Sequence, residues 1–176
     1  MAATLEIRLT GVTNPGSLQT VVNSSSGGYM SGTTLSGVAM NDLWDNVQPD
    51  EATAGRSEWR VIDIYNSDPT STAVDVDLYW STVTPSPGSR VEIGAHATDG
   101  CPHSAGWLGQ ILTNDITAPN SPSVVTSEYQ SGAMYRVCSG TGIPPLNAAR
   151  VYMKRVITPG AGNYPNDLCT LTIQYA

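Results

Sequence analysis

The chain has 176 residues, enough for one domain, 1–176, with a real core and too few for two comfortable ones. Its 8 Lys and Arg against 15 Asp and Glu leave a formal net charge of −7. That balance lacks the cationic footprint that phosphate backbones or an anionic membrane surface require, so neither nucleic acid nor membrane is expected as a partner.

Charged residues are only 13% of the chain, Phe is absent, and Ser, Thr, Gly and Pro abound. The mixture favours short strands joined by many turns. It also fits a surface that spends much of its life against other proteins. The opening MAATLEIRLTG has neither the basic start nor the apolar run of a signal peptide, so synthesis in a cytoplasm without secretion is expected. Cys101, Cys138 and Cys169, odd in number and widely spaced, read as reduced thiols.

Leu5, Ile7 and Leu9 alternate with Glu6 and Arg8 as an amphipathic first strand. Residues 11–37 run through NPGS and NSSSGG, which reads as an extended arm or a loop crossing between sheets, and hence as a contact surface. Next, Pro49 suits a first helical position, Asp50 and Glu51 suit the positive end of a helix dipole, and Gly55 suits a left-handed stop. One short helical turn is therefore predicted near 49–54. From Ser57 to Asn66 a strand follows on which Glu58, Arg60, Ile62 and Ile64 share one face and Trp59, Val61, Asp63 and Tyr65 the other. Neither face is cleanly apolar, as in a strand covered on both sides or bent by a bulge.

Ala73–Trp80 alternates more clearly, and with Val91, Ile93 and Ala95 beyond the TPSPGS turn it reads as a hairpin over Ala73–Ala97. Further strands are predicted at Ser123–Tyr129, Ala133–Ser139, Ala149–Thr158 and Leu168–Tyr175. The fold class expected is all-β, a single antiparallel β-sandwich or jelly roll.

Candidate chemistry is sparse. HATDGCPH gathers His96, Asp99, Cys101 and His103, whose imidazole and thiolate groups are zinc ligands and would suit a small metal-dependent hydrolase, but the spacing matches no closed structural pattern. Polar residues in a Gly/Pro loop are the ordinary reading, so no metal and no cofactor is assigned. Asp75 and Asp77 emerge on one strand face about 7 Å apart, a separation open to a glycosidase pair or part of a calcium site, and more commonly a plain acidic stripe. No G-x-S-x-G, G-x-G-x-x-G or Walker-type loop occurs, so no catalytic residue is proposed. Gly55, Glu58, Trp59 and Arg60 read as a structural network: the helical turn ends, and the chain enters the sheet through a charge-locked strand.

Two segments carry a resemblance. NDLWDNVQPDE, followed by ATAGRSEWR and a strand ending in Asn66, is similar to a signature in virion structural proteins of tailed bacteriophages, on Glu51, Ala54, Gly55, Glu58, Trp59, Arg60 and Asn66. VYMKRVITPGAGNYPNDLCTLTI resembles a C-terminal pattern of the same group, on Lys154, Arg155, Pro159, Gly160, Ala161, Asn166 and Asp167. Trp59 stands where that signature has tyrosine, and the His96–His103 loop and Trp107–Pro145 lie outside it.

The resemblance implies a structural protein of the virion without catalytic residues: a decoration or cement protein bound to the major capsid protein on the outer surface of a head. Closed symmetry and the three-fold sites of a capsid lattice make a homotrimer the expected oligomer. Tyr29, Trp44, Trp107 and the 11–37 segment are the candidate partner contacts. The alternative is a tail- or fibre-associated module binding host carbohydrate, which needs Tyr29, Trp44, Trp107 and Tyr129 exposed in one groove.

Overall fold

The computed structural model describes residues 2–21, 24–36, 43–83, 88–95, 101–119, 125–138, 140–162 and 169–176. Their strands are antiparallel and form two sheets. The larger runs β2 (Tyr29–Thr34), β1 (Leu5–Val12), β3 (Arg56–Asn66), β9 (Asn147–Ile157), β5 (Ser89–Ala95) and β7 (Val125–Ser127), with β6 (His103–Ser104) pairing the start of β9. The smaller sheet runs β10 (Cys169–Gln174), β4 (Asp77–Val83) and β8 (Tyr135–Arg136). The predicted helical turn is α1, Pro49–Ala54.

The two sheets form a β-sandwich around one core. Ile62 and Ile64 on β3, Val151 and Met153 on β9, and Val91 and Ile93 on β5 meet Leu78 and Trp80 on β4, with Leu171 and Ile173 of β10 half-buried beside them. This arrangement corrects the expected Ala73–Ala97 hairpin. β4 pairs β10 and β8, while β5 pairs β9 and β7, so the consecutive strands lie in different sheets. The physical reason is that each presents an apolar face, Leu78/Trp80 and Val91/Ile93, and these faces cover one another across the core instead of lying side by side.

β4 also begins later than the alternation predicts. Asp75 has φ 51°, which breaks the strand, and Val74 is exposed while Val76 is fully buried. The predicted strand at Ala133–Ser139 shrinks to Tyr135–Arg136, with Ser139 outside the described residues.

β3 is a central strand as long as β9, 11 residues, although neither of its faces is apolar. Its pairing with β9 runs without a register shift from Arg56↔Ile157 to Tyr65↔Ala148, so no bulge bends it there. One face looks into the core; the other lies under the segment from His103 to Asp115, where Trp59, Val61, Tyr152 and Leu112 form a second small cluster. Asn66 closes the strand by donating to the carbonyls of Ser71 (2.8 Å) and Ile143 (2.9 Å).

The 11–37 segment is laid back on the domain. β2 occupies its second half, and ahead of it Ser25 takes the place of β1 at the edge of β3, where the Val61 amide donates to the Ser25 carbonyl at 2.8 Å. Thr10 Oγ1 donates to the Val61 carbonyl at 2.9 Å, with the Ser25 hydroxyl on the same acceptor.

The cysteines depart from expectation. Cys101 and Cys138 form a disulfide across 37 positions of sequence, their Cα atoms 5.2 Å apart, while Cys169 packs half-buried against the core. Sequence spacing hid this pair because its members approach only when the end of β8 comes beside the start of β6. The bond ties the smaller sheet to the larger. By loop-closure entropy, its loss in a Cys138→Ser variant is expected to lower the unfolding free energy by about 3–4 kcal/mol. Denaturant unfolding with and without a thiol reductant checks this, and the variant should lose all sensitivity to the reductant.

Candidate functional site

The residues singled out at Asp45–Asn66 converge on a joint between α1, β3 and β9. Glu51 accepts the backbone N–H of Gln48 at 2.8 Å, which closes the first turn of the helix, and its other oxygen holds Arg56 Nη1 at 2.6 Å. Gly55 then turns the chain with φ 75°. A Cβ there would lie 2.6 Å from the Pro159 ring, so side-chain bulk is excluded as well as the backbone angle. The amides of Gly160 and Ala161 return to the Ala52 carbonyl at 2.9 and 3.1 Å. The two segments that carry the resemblance are thus one unit in space; Asn166 and Asp167 lie outside the described residues.

Glu58 and Arg60 pair across strands and with loops, not with each other. Glu58 faces Arg155 in the register, and Arg155 Nε donates to its carboxylate at 2.7 Å. Arg155 also donates to the Asp45 carbonyl at 2.7 Å and lies over the Trp44 ring, 5.8 Å from its centroid. Arg60, 1% exposed, donates to the carbonyls of Leu43 (3.1 Å) and Trp59 (2.8 Å) and stands 3.6 Å from Asp115. Asp115 in turn accepts from Arg56 at 3.1 Å.

Burial draws the Arg60 pKa below its ordinary value, with Asp115 and Glu58 opposing. Around Arg56 burial also works against the charge, but Asp115, Glu51 and Glu58 outweigh it and the pKa rises.

A second charged cluster sits on the outer face of the larger sheet. Asp63, fully buried, accepts two bonds from Arg150, at 2.9 and 2.8 Å, and lies 3.4 Å from His103 Nε2. The His103 ring stacks on Trp107 at 4.4 Å between centroids, and Arg150 lies 4.9 Å from the Trp107 ring. Burial alone would push the Asp63 carboxyl up; Arg150 and the His103 hydrogen bond outweigh it and hold the pKa below the ordinary carboxylate value. Gly109 is required here, since a Cβ would fall 2.1 Å from Arg150 Nη1.

These positions correct the candidate chemistry. Cys101 is bonded to Cys138 and offers no thiolate, and His103 is turned to Asp63; His96 and Asp99 of the HATDGCPH set lie outside the described residues. Asp75 and Asp77 both hold Arg136, Asp77 through Oδ1 at 2.6 Å and Oδ2 at 3.0 Å, which consumes the acid pair.

The aromatic candidates are all half-buried and dispersed. Trp107 is sandwiched on the outer face, Trp44 packs against the core beneath Arg155, and Tyr29 lies on β2. Tyr129 lies 5.3 Å from Tyr135, whose hydroxyl burial pushes up to about 12. Among the described residues, neither of two surface depressions, one beside Trp59 and one beside Leu9, is lined by any of them. The Asp63–Arg150 pair was missed in sequence reasoning, although a lone acid between Val61 and Tyr65 and a lone arginine within NAARVYM were the available signal.

No protein-family model, curated protein or solved structure matches the chain.

Two outcomes follow from these ion pairs. Glu58→Leu leaves Arg155 half-buried with only the more distant Asp45 carboxylate, at 3.4 Å, and is expected to cost about 3 kcal/mol of stability, as is Arg155→Met, whereas the double variant Glu58→Leu/Arg155→Met costs less than the two single losses summed. Additive losses in a double-mutant cycle would mean that the pair carries no coupling.

For Asp63 the folded pKa is depressed, so its stabilisation is complete above the unfolded value near 4 and is lost as pH falls through that range toward the folded pKa. Asp63→Asn is expected to lower stability at pH 7 and to flatten the acid limb of a stability profile; an unchanged acid limb would contradict the assignment.

Proposed function

We propose that the protein is a structural component of a tailed-phage virion, a decoration or cement protein that binds the outside of the head and stabilises the shell. The observation that carries this reading is a set of exposed aliphatic side chains on two segments that are hydrogen-bonded to each other. Leu18 and Val21 on the loop before β2 are 72% and 59% exposed, and Leu108, Ile111 and Ile116 are also exposed on the segment paired with it. The two segments are stitched by Gly28 N–H to the Gln110 carbonyl at 2.9 Å and Leu112 N–H to the Ser26 carbonyl at 2.7 Å.

Single exposed aliphatics are ordinary, whereas a group of them on two rigidly joined segments is a surface suited to a protein partner. Low charge density and the resemblance of the two joint segments support the same reading. The partner is the major capsid protein. Binding that spans neighbouring capsid subunits stabilises the assembled shell by mass action, and a trimer at three-fold positions satisfies both the lattice and closed self-association.

Point substitution is the proper test, because removing residues 10–28 would also strip Thr10 and Ser25 from the edge of β3. Leu18→Asp with Ile111→Asp is expected to lower occupancy on purified heads at least about tenfold, a loss of about 1.4 kcal/mol, while the melting temperature of the isolated protein stays within a few degrees. Unchanged occupancy in a folded double variant would overturn these side chains as the contact.

A further inference from the structure

Beyond shell binding, one sheet edge carries a pattern of its own. The edge strand β2 is covered by the loop before it: the Gly16 amide donates to the Met30 carbonyl at 2.9 Å and the Gly32 amide to the Ser17 carbonyl at 2.8 Å. At the far end of the larger sheet β7 spans only Val125–Ser127, and beside β8 the carbonyl of Tyr129 takes the Trp80 amide. β10, by contrast, pairs only β4 among the described residues.

Which backbone groups β10 turns outward follows from its neighbours. On β4 the amide of Trp80 donates to Tyr129 and the carbonyl of Val76 accepts from Val137, so Val76, Leu78 and Trp80 turn their backbone groups toward β8. In an antiparallel pair two opposed residues exchange both bonds or neither, and Leu78 and Trp80 oppose Ile173 and Leu171. The N–H and C=O of Leu171 and Ile173 therefore point away from β4, at the open edge. Past the strand the same alternation holds: Ala176, two residues after Gln174, exchanges bonds with Val74 at 2.9 and 3.1 Å. Among the described residues, no backbone group meets Leu171 or Ile173 on the outward side.

A row of alternating donors and acceptors takes another strand, and sheets ordinarily guard such an edge with a lysine, a proline or an inward charge. CTLTIQ has none of these, and its register shift against β4 lies before Leu171. The same residues decide which strand fits. In an antiparallel pair centred on Thr172, Leu171 of each copy opposes Ile173 of the other, and each such pair exchanges both bonds. Thr172, whose hydroxyl bonds Ser81 on the outer face, meets its own copy, while Leu171 and Ile173, half-buried on the core side, gain an apolar neighbour. Although each chain carries a net charge of −7, no charge on one strand meets a like charge on the other. We propose that β10 pairs with β10 of a second copy about a two-fold axis at Thr172, joining the two smaller sheets into one. Such a contact is isologous and joins copies in twos, so it is distinct from the three-fold association on a head.

The test is the mass of the full chain alone, by sedimentation equilibrium from micromolar to millimolar protein. Twice the 18.5 kDa chain mass is expected at the high end. Thr172→Lys and Thr172→Glu each set like charges opposite one another at the axis. Each is expected to weaken self-association at least about tenfold with an unchanged circular dichroism spectrum, and an equimolar mixture of the two variants is expected to regain it as a mixed pair. A chain that stays monomeric at millimolar concentration would overturn the proposal and leave the edge to a strand of another protein. An assembly that both substitutions leave unchanged, or a mixture of folded variants that does not re-associate, would overturn it too. Occupancy on heads is a separate measurement, so failure here leaves shell binding standing.

Discussion

The pairing of Glu58 with Arg155 across β3 and β9 is the constraint on which the remaining structure depends. Both strands are covered on two faces, so every polar group they carry must find a partner inside the protein or weaken the fold. A one-residue slip would swap the faces and set Glu58 opposite Val156 or Lys154, away from Arg155. The buried carboxylate therefore fixes register, and the register sets Asp63 opposite Arg150 and brings Trp59 beside Lys154. Such a pair contributes less to net stability than to the choice of one arrangement over its neighbours.

From that pair the joint spreads outward. Arg155 holds the Asp45 backbone, and Glu51 serves α1 and Arg56 at once. Gly55 lets the helix end against Pro159, and Asp115 brings the far segment to the open edge of β3. The positions on which the proposed resemblance to phage virion proteins rests are largely these same residues. A signature of this kind marks how a sheet is assembled, and says less about what the sheet's outside touches. The surfaces available for partners lie elsewhere, on the Leu18 loop and the segment from Leu108 to Ile116.

How much was legible in the sequence follows from the range of the interactions. Local signals worked: Pro49, the acids behind it and Gly55 gave α1 at its observed bounds, and alternation gave the central strands β3 and β9 within a residue or two. Even the awkward charges on β3 were readable as a network, though Glu58 and Arg60 looked like partners and instead reach different ones. What failed was long-range. The alternation around Leu78 and Val91 shows two half-buried strands, but not whether they lie edge to edge or face to face. The Cys101–Cys138 bond and the Arg136 clamp on Asp75 and Asp77 likewise depend on which loops meet. Trp107, singled out as a candidate contact, is half-buried beside Arg150 and His103, an arrangement that also depends on which loops meet.

As the joint that holds the fold together, α1, the turn at Pro159–Ala161 and the paired halves of β3 and β9 open and close as one unit. Native-state hydrogen exchange measures this directly. The amides of Gly55, Gly160 and Ala161, which bond to α1 carbonyls, should exchange with the same opening free energy as those of Trp59 and Val61 and respond to denaturant in parallel. If Gly160 and Ala161 exchange orders of magnitude faster than β3, the helix and turn merely decorate the sheet, and the joint is not the unit that holds this fold together.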